Sequence, residues 1–319
     1  MPDVICLGEL LVDFIPTVTG KDLIDTPAFQ KAAGGAPGNV AVGLQQLGVD
    51  TAFVGKVGDD PFGYFLSGTL ADKGVDVSLV KYSDEARTGL AFVSLKADGD
   101  REFLFYRHPS ADMLLVADEI DLDVIRSARL LHFGSITLIC EPVRSATLQA
   151  IAAAREAGCR ISYDPNLRLP LWPDEHSARK GLELGLSKAN VVKISEDEVE
   201  FLVGHQDLDR AKDELWHDDL QLMVITRGSK GCRYYSRELR GDVDTFEIEA
   251  IDATGAGDGF VAGLLQGVLK DPDVINDGQA LHDLCRFANA VGAITATGRG
   301  AIPALPDYQR VQRFLDENR

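Results

Sequence analysis

Short, near-continuous apolar runs separated by helix-length intervals constrain this chain's fold more than any other feature. Residues 4–7, 130–133, 161–163, 191–194 and 222–226 form such runs, each too short for a buried helix and lacking polar alternation. A strand that is apolar on both faces belongs in a parallel sheet covered by helices on each side. Amphipathic segments lie between the runs, at 37–47 before Gly48, at 142–157 before Gly158, and at 178–187. Glycine directly after such a segment is the usual helix stop. Strand and helix alternating at this spacing predict βαβ units and an α/β fold. A length of 319 residues fits two domains, or one large α/β domain with an appendage.

Two stretches leave the rhythm. Residues 13–29 contain alternating and turn-like pieces, and residues 88–95 and 101–106 flank Ala97-Asp98-Gly99-Asp100 as the arms of a hairpin. Hydrophobic hairpin arms need cover. A small β subdomain built from two separated pieces, about 13–32 and 86–110, is therefore expected over the carboxyl edge of the main sheet. An antiparallel extension of that sheet is the alternative. Residues 307–319 read as a closing amphipathic helix.

Charge narrows the function. Lys and Arg number 32 against 50 Asp and Glu, a net charge of -18, which repels polyanions and argues against nucleic-acid binding through phosphates. No apolar stretch is long enough for a membrane span. Cys6, Cys140, Cys159, Cys232 and Cys285 form no CxxC pair and read as reduced thiols, mostly buried. The first residues carry no basic segment or long apolar run of a signal peptide. A soluble, cytoplasmic protein is the expectation.

The chemistry concentrates in loops that follow strands or open helices. In Ile251-Asp252-Ala253-Thr254-Gly255-Ala256-Gly257-Asp258-Gly259-Phe260, two glycines let the backbone turn tightly before an apolar helix. Amides at a helix start can converge on an anion, and Asp258 stands where the dipole keeps it ionised. A carboxylate beside an anion cradle can take a proton from an attacking hydroxyl while the amides stabilise a moving phosphoryl group. A merely capped turn is the plainer reading. Gly34-Gly35-Ala36-Pro37-Gly38-Asn39 makes a second loop whose amides and Asn39 side chain can hold hydroxyls, or simply cap a helix. After the run at 161–163 comes Asp164-Pro165-Asn166-Leu167-Arg168, where Arg168 suits a phosphoryl group. Asp13, just past the first strand, can accept from sugar hydroxyls. Ligand crevices in α/β sheets lie beyond the strands' carboxyl ends, so these features are expected to share one cleft.

Other chemistries lack support. There is no Walker A loop, no GxGxxG after the first strand, no protein-kinase signature, no paired histidines and no GxSxG.

On these residues the chain resembles the ribokinase-like (PfkB) carbohydrate kinases over essentially its full length, and within them the fructokinases of plant and bacterial type. Further matching pieces are Gly55-Lys56-Val57-Gly58-Asp59-Asp60, Ala86-Arg87-Thr88, Phe105-Tyr106-Arg107, Pro109-Ser110-Ala111-Asp112, Phe287-Ala288-Asn289-Ala290 and Gly300-Ala301-Ile302-Pro303. The resemblance implies one kinase domain over 1–319, a three-layer α/β/α sandwich with a small β-sheet lid, the lid also clasping a homodimer. It implies ATP-dependent phosphorylation of D-fructose at the primary 6-hydroxyl. Asp258 would be the base, Gly255, Ala256 and Gly257 the anion hole, and Arg168 the arginine near the phosphates. Asp13, Gly34, Gly35 and Asn39 would bind sugar, joined by Arg107. Lys193, Thr226, Gly228 and Asn289 would lie on the adenosine side. Glu198 would act on magnesium indirectly, and Asp252 and Thr254, with backbone between Ala293 and Gly298, would hold a monovalent cation, usually potassium.

One departure stands out: the family's Asn-x-x-Glu reads Ser195-Glu196-Asp197-Glu198 here, which puts the part of Ser195 in organising magnesium water in question. Related kinases acting on ribose, 2-keto-3-deoxygluconate or a nucleoside share Asp258 and its loop and are the nearest alternatives. A non-catalytic regulator or scaffold is opposed by the intact Asp258 and glycines.

Overall fold

A computed structural model describes residues 1–18, 20–95 and 101–319. The chain enters through β1 (Val4–Leu7), whose side chains alternate between two cores: Val4 and Cys6 belong to one, Ile5 and Leu7 to the other. It then leaves the main sheet for β2 (Leu11–Pro16) and β3 (Phe29–Gly34), and returns through α1 (Ala36–Gln46), β4 (Thr51–Gly58), α2 (Pro61–Asp72) and β5 (Val80–Ser83). A second excursion gives β6 (Gly89–Leu95) and β7 (Arg101–Tyr106). The rest continues through α3 (Leu122–Ser127), β8 (Leu130–Gly134), α4 (Val143–Glu156), β9 (Arg160–Asp164), α5 (Glu175–Leu186), β10 (Val191–Ser195), α6 (Glu196–Val203), α7 (Leu208–Leu215), β11 (Leu222–Thr226), β12 (Cys232–Ser236) and β13 (Arg240–Val243). Four helices close the chain: α8 (Ala256–Lys270), α9 (Gly278–Ala296), α10 (Ala301–Ala304) and α11 (Tyr308–Glu317).

The main sheet has nine strands in the order β13-β12-β11-β10-β9-β8-β1-β4-β5, parallel from β11 to β5, with β12 and β13 antiparallel at one edge. Helices α1, α8 and α9 pack on one face, and α4 and α5 on the other, so the architecture is the expected α/β/α sandwich. The predicted stops hold, with Gly48 at φ +85° and Gly158 at φ +79° just beyond α1 and α4. Two helix starts differ from the sequence reading. Helix α5 begins at Glu175, because the Asp174 carboxylate caps it by accepting from Ser177 N. Helix α8 begins at Ala256, four residues before its apolar stretch.

The off-rhythm segments form a separate four-stranded sheet, β3-β2-β6-β7, rather than an extension of the main one. Asp13 is therefore inside β2, opposite Ala32 and Ala91, and not in a loop after the first strand. Phe14 stacks on Phe92 and meets Phe62 of α2 edge-on, which seats this sheet on the body. Asp60 caps α2 through Phe62 N and Gly63 N and also accepts from Thr88 N, joining the end of β4 to the base of β6. The hairpin turn proposed at Ala97-Asp98-Gly99-Asp100 lies outside the described residues. All five cysteines are free, and four are buried.

Candidate active site

The turn into α8 is built by Asp252. Its Oδ1 accepts from Thr254 N and from Thr254 Oγ1, and its Oδ2 accepts from Gly300 N, so one carboxylate fixes both the turn and the loop before α10. Gly255 caps the helix at φ +79°, and a Cβ there would lie 2.4 Å from Ala301 Cβ. Both the dihedral and the contact demand glycine. Ala256 N donates to Ala253 O and Gly259 N to Gly255 O. The Gly257 and Asp258 amides belong to the first helical turn, where no intrahelical carbonyl is available, and the dipole favours an anion.

Asp258 follows in that turn and is buried. Its Oδ2 accepts from Asn39 Nδ2 at 2.8 Å, across 219 residues of sequence. Asn39 is delivered by α1, whose cap Gly35 has φ +110° and passes so close to Glu9 that a Cβ would meet Glu9 O at 2.3 Å. Burial pushes the Asp258 carboxyl above its usual range, against the lowering pull of Asn39, Lys193 and Arg168. Burial likewise pushes Asp13 up to about 7, with Arg168 opposing and the Asp258 and Asp252 charges adding. Asp13, Asn39 and Asp258 line one small cavity of about 190 Å³ with Glu9, Arg168 and Gly255. Gly34 lies behind it, where a Cβ would strike Asp13 Oδ2 at 2.2 Å; it leaves room for the carboxylate rather than contacting the cavity.

Beyond β9, Asn166 adopts φ +45°, a left-handed conformation that asparagine tolerates, and borders both this cavity and a neighbouring one with Arg168, Lys193, Asp197 and Glu198. Glu198 is committed on both sides: its Oε1 accepts from Leu167 N at 2.7 Å and its Oε2 from Ser195 N at 2.8 Å. Ser195 Oγ accepts in return from Glu198 N, a capping box that opens α6. Ser195 is thus a helix cap, and Glu198 positions the loop that carries Arg168.

A larger cavity of about 680 Å³ adjoins the first and shares Ala253 and Gly257 with it. Thr226, Gly228 and Asn289 line it, with apolar walls from Phe246, Ile248 and Phe260. Asn289 Nδ2 donates to Val243 O and Asp244 O, which pins the irregular 245–250 segment against α9. That segment has no periodicity, and sequence reading missed it. Ala293 lines this cavity too. Gly298 packs against Ala304, which a Cβ would approach to 2.5 Å.

Two placements correct the expectations. Lys193 borders the two polar cavities, not the large apolar one, because its side chain points from β10 toward the α8 turn. Arg107 is not on the wall of the small cavity. It is buried, donates through Nε to Asp112 Oδ2 at 2.7 Å and pairs again through Nη2; Ser110 Oγ donates to the other Asp112 oxygen. Both side chains are 3% exposed, so removing one partner strands the other's charge. Asp112→Ala is expected to lower the unfolding free energy by about 3–5 kcal/mol. Urea unfolding measures this, and a change under about 1 kcal/mol contradicts a structural Arg107 pair.

Glu9 and Asp164 are not among the site residues to which the sequence points. Glu9 Oε1 accepts from Ala36 N at the start of α1, while its Oε2 is buried with no hydrogen-bond partner among the described residues, and burial raises the group to about 7. Its signal in the sequence was only an acid ending an apolar run.

A family model described as pfkB family carbohydrate kinase matches residues 1–308. Fructokinase-2 of Solanum lycopersicum is 50% identical over 313 residues, covering 98% of this chain and 95% of that protein. The crystal structure of a fructokinase with bound ATP from Xylella fastidiosa superposes with a TM-score of 0.91 at 34% identity, covering 100% of this chain and 99% of that one. A double-mutant fructokinase from Vibrio cholerae O395, in a fructose-, ADP- and potassium-bound form, gives 0.88 at 35% identity, with 99% and 98% covered.

Proposed function

The chain belongs to the pfkB family of carbohydrate kinases, and from that premise we propose that it transfers the γ-phosphoryl group of ATP to the 6-hydroxyl of D-fructose. The observation that carries this reading is the position of Asp258. It lines the polar cavity of about 190 Å³ next in sequence to Gly257, which the apolar cavity of about 680 Å³ shares, and its Oδ2 accepts from Asn39.

Sugar hydroxyls are held by Asp13 and Asn39, and the adenosine lies against Phe246, Ile248 and Asn289. Asp258 Oδ1 takes the proton of the 6-hydroxyl as its oxygen bonds to the γ-phosphorus and the bond to the bridging oxygen of ADP breaks. First-turn amides of α8 and the Arg168 guanidinium face the charge on the transferring group. Magnesium, when bound with ATP, neutralises phosphate charge. Asp197 and Glu198 border the cavity suited to it, and both Glu198 oxygens already accept backbone amides, which leaves that residue an indirect role. Asp252 and Thr254 offer the oxygen donors that a monovalent cation takes, at the turn whose shape such an ion would stiffen. The reading includes a cytoplasmic homodimer joined through the small sheet, where Leu104 and Tyr106 are 46% and 59% exposed.

An ADP-release assay across fructose, glucose, mannose, ribose, 2-keto-3-deoxygluconate and adenosine, with and without potassium, tests it. Fructose is expected to give a kcat/KM at least about tenfold above the others, a margin that buried polar pairing can supply. A higher value for ribose, ketodeoxygluconate or adenosine overturns the substrate assignment and leaves the Asp258 chemistry standing.

The pH profile follows from the two buried acids. Both act as carboxylates, and both are held above their usual range, Asp13 near 7. Ionisation is lost as pH falls, so kcat/KM is expected to drop on acidification through about 7 and to plateau above it. Because the Asn39 bond favours the ionised Asp258, Asn39→Leu should move the acid limb of kcat to higher pH.

A further inference from the structure

The apolar wall of the larger cavity is not held by its own backbone. Residues 244–250 lie in neither helix nor strand, and no backbone N–H or C=O of 245–250 is hydrogen-bonded among the described residues. Asn289 fixes only the entry to the segment, through Val243 O and Asp244 O. Where Phe246 stands therefore depends on what packs against its ring. Two side chains from different helices do so. The Phe314 ring of α11 meets it edge-on, with centroids 4.9 Å apart at 69°, and the Arg286 guanidinium of α9 lies 4.8 Å from the Phe246 centroid. Both arrangements attract an aromatic ring. Neither residue lines the larger cavity, so both press on Phe246 from outside it.

The two supports are also joined to each other. Arg286 donates through Nη2 to Asn318 O, and Asn318 Nδ2 donates to Phe314 O at 2.8 Å. Helix α11 is seated in the core by buried Val311, and its Tyr308 ring packs on Phe287 of α9 with centroids 5.8 Å apart. The sugar side, Asp13 on β2 and Asn39 on α1, takes no part in these contacts.

We propose that Phe314 and Arg286 are positioning residues for the nucleotide: acting through Phe246, they hold the wall on which the adenosine lies, so that the closing helix governs affinity for ATP and leaves the sugar side alone. This rests on the kinase reading above, in which adenosine lies against Phe246. Without the Phe314 ring, Phe246 can turn into the space left behind it and away from the nucleotide, since no backbone hydrogen bond of its segment resists the movement.

The alternative is that α11 only completes the core. Four variants separate the two: Phe314→Ala, Phe314→Tyr, Arg286→Met and Tyr308→Ala. Calorimetry gives the Kd for ATP, steady-state kinetics give kcat and both KM values, and thermal unfolding gives Tm. Phe314→Ala is expected to raise the Kd and KM for ATP about five- to tenfold, the worth of one well-packed aromatic pair, with kcat at saturating ATP and the KM for fructose unchanged. Arg286→Met should raise the same two constants about threefold. Phe314→Tyr keeps the ring and should bind ATP as the wild type does. Tyr308→Ala removes a ring contact from the same helix without touching Phe246, so it should lower Tm and leave the Kd for ATP unchanged. A folded Phe314→Ala variant with wild-type affinity for ATP overturns the proposal, as does a Tyr308→Ala variant that weakens ATP equally. If Phe314→Ala does not fold, an unchanged Kd in Arg286→Met overturns it in turn. A wild-type chain that binds no ATP overturns the nucleotide reading and this inference with it.

Discussion

Asp258→Asn is expected to lower kcat by about 10²–10⁴-fold, with the KM for fructose and the affinity for ATP largely kept. The substitution is nearly isosteric, and the new amide can present its carbonyl oxygen to Asn39 Nδ2 in place of Oδ2. What it cannot do is accept a proton at the other position. The amides and cations around the phosphoryl group remain, so residual turnover above the uncatalysed reaction should persist. Loss of a buried acid should not cost stability, because burial already opposes the charge on Asp258. The check is steady-state kinetics with calorimetric binding of ATP. Turnover within about fivefold of the wild type removes Asp258 from the role of base.

Gly255→Ala has an expected effect of the same order by a different route. At φ +79° an alanine is strained by about 1–2 kcal/mol, and its Cβ would sit 2.4 Å from Ala301 Cβ and 2.8 Å from Ala301 Cα. Neither neighbour can swing aside, since Gly300 N is tied to Asp252 Oδ2 and the turn to Oδ1 of the same carboxylate. The α8 start must shift, and with it the amides and Asp258. We expect kcat to fall by about 10²–10³-fold, as when an oxyanion donor is displaced, together with a lower Tm. Adding Ala301→Gly should recover part of the Tm by removing the contact, while the dihedral strain stays. A single Gly255→Ala variant with wild-type kcat would mean that the anion is held elsewhere.

The parallel core was legible because its signal is local: strands buried on both faces are apolar at most positions, and α1 and α4 stop at glycine. The cavity-lining loops were legible where the backbone chemistry is unusual, as at Gly35 and at Gly255 and Gly257, whereas Gly34 lies behind the cavity. Long-range partners were not. Nothing near Asn39 announces that its amide reaches Asp258, and nothing near Arg107 distinguishes a sugar ligand from an arginine sealed against Asp112. Lys193 interrupts an apolar run, a pattern that shows a buried cation but not which cavity it faces. Asp13 reads as a residue just past the first strand because β2 starts only four residues after β1 ends and belongs to a second sheet. The 245–250 wall has no regular structure and so left no periodicity to read.

The two cavities touch only at the α8 turn: among the described residues they share Ala253 and Gly257 and nothing else. Residues of the larger one run from Thr226 to Ala296, whereas Glu9, Asp13, Asn39 and Phe105 of the smaller one come from the first third of the chain. Free-energy changes at well-separated positions add, while those at shared partners do not. Donor preference and acceptor preference can therefore be altered independently in one chain. Exchanging the Phe246–Ile248 wall and the Asp13–Asn39 wall together should combine without penalty, and epistasis should be confined to the few residues of the turn that both substrates meet.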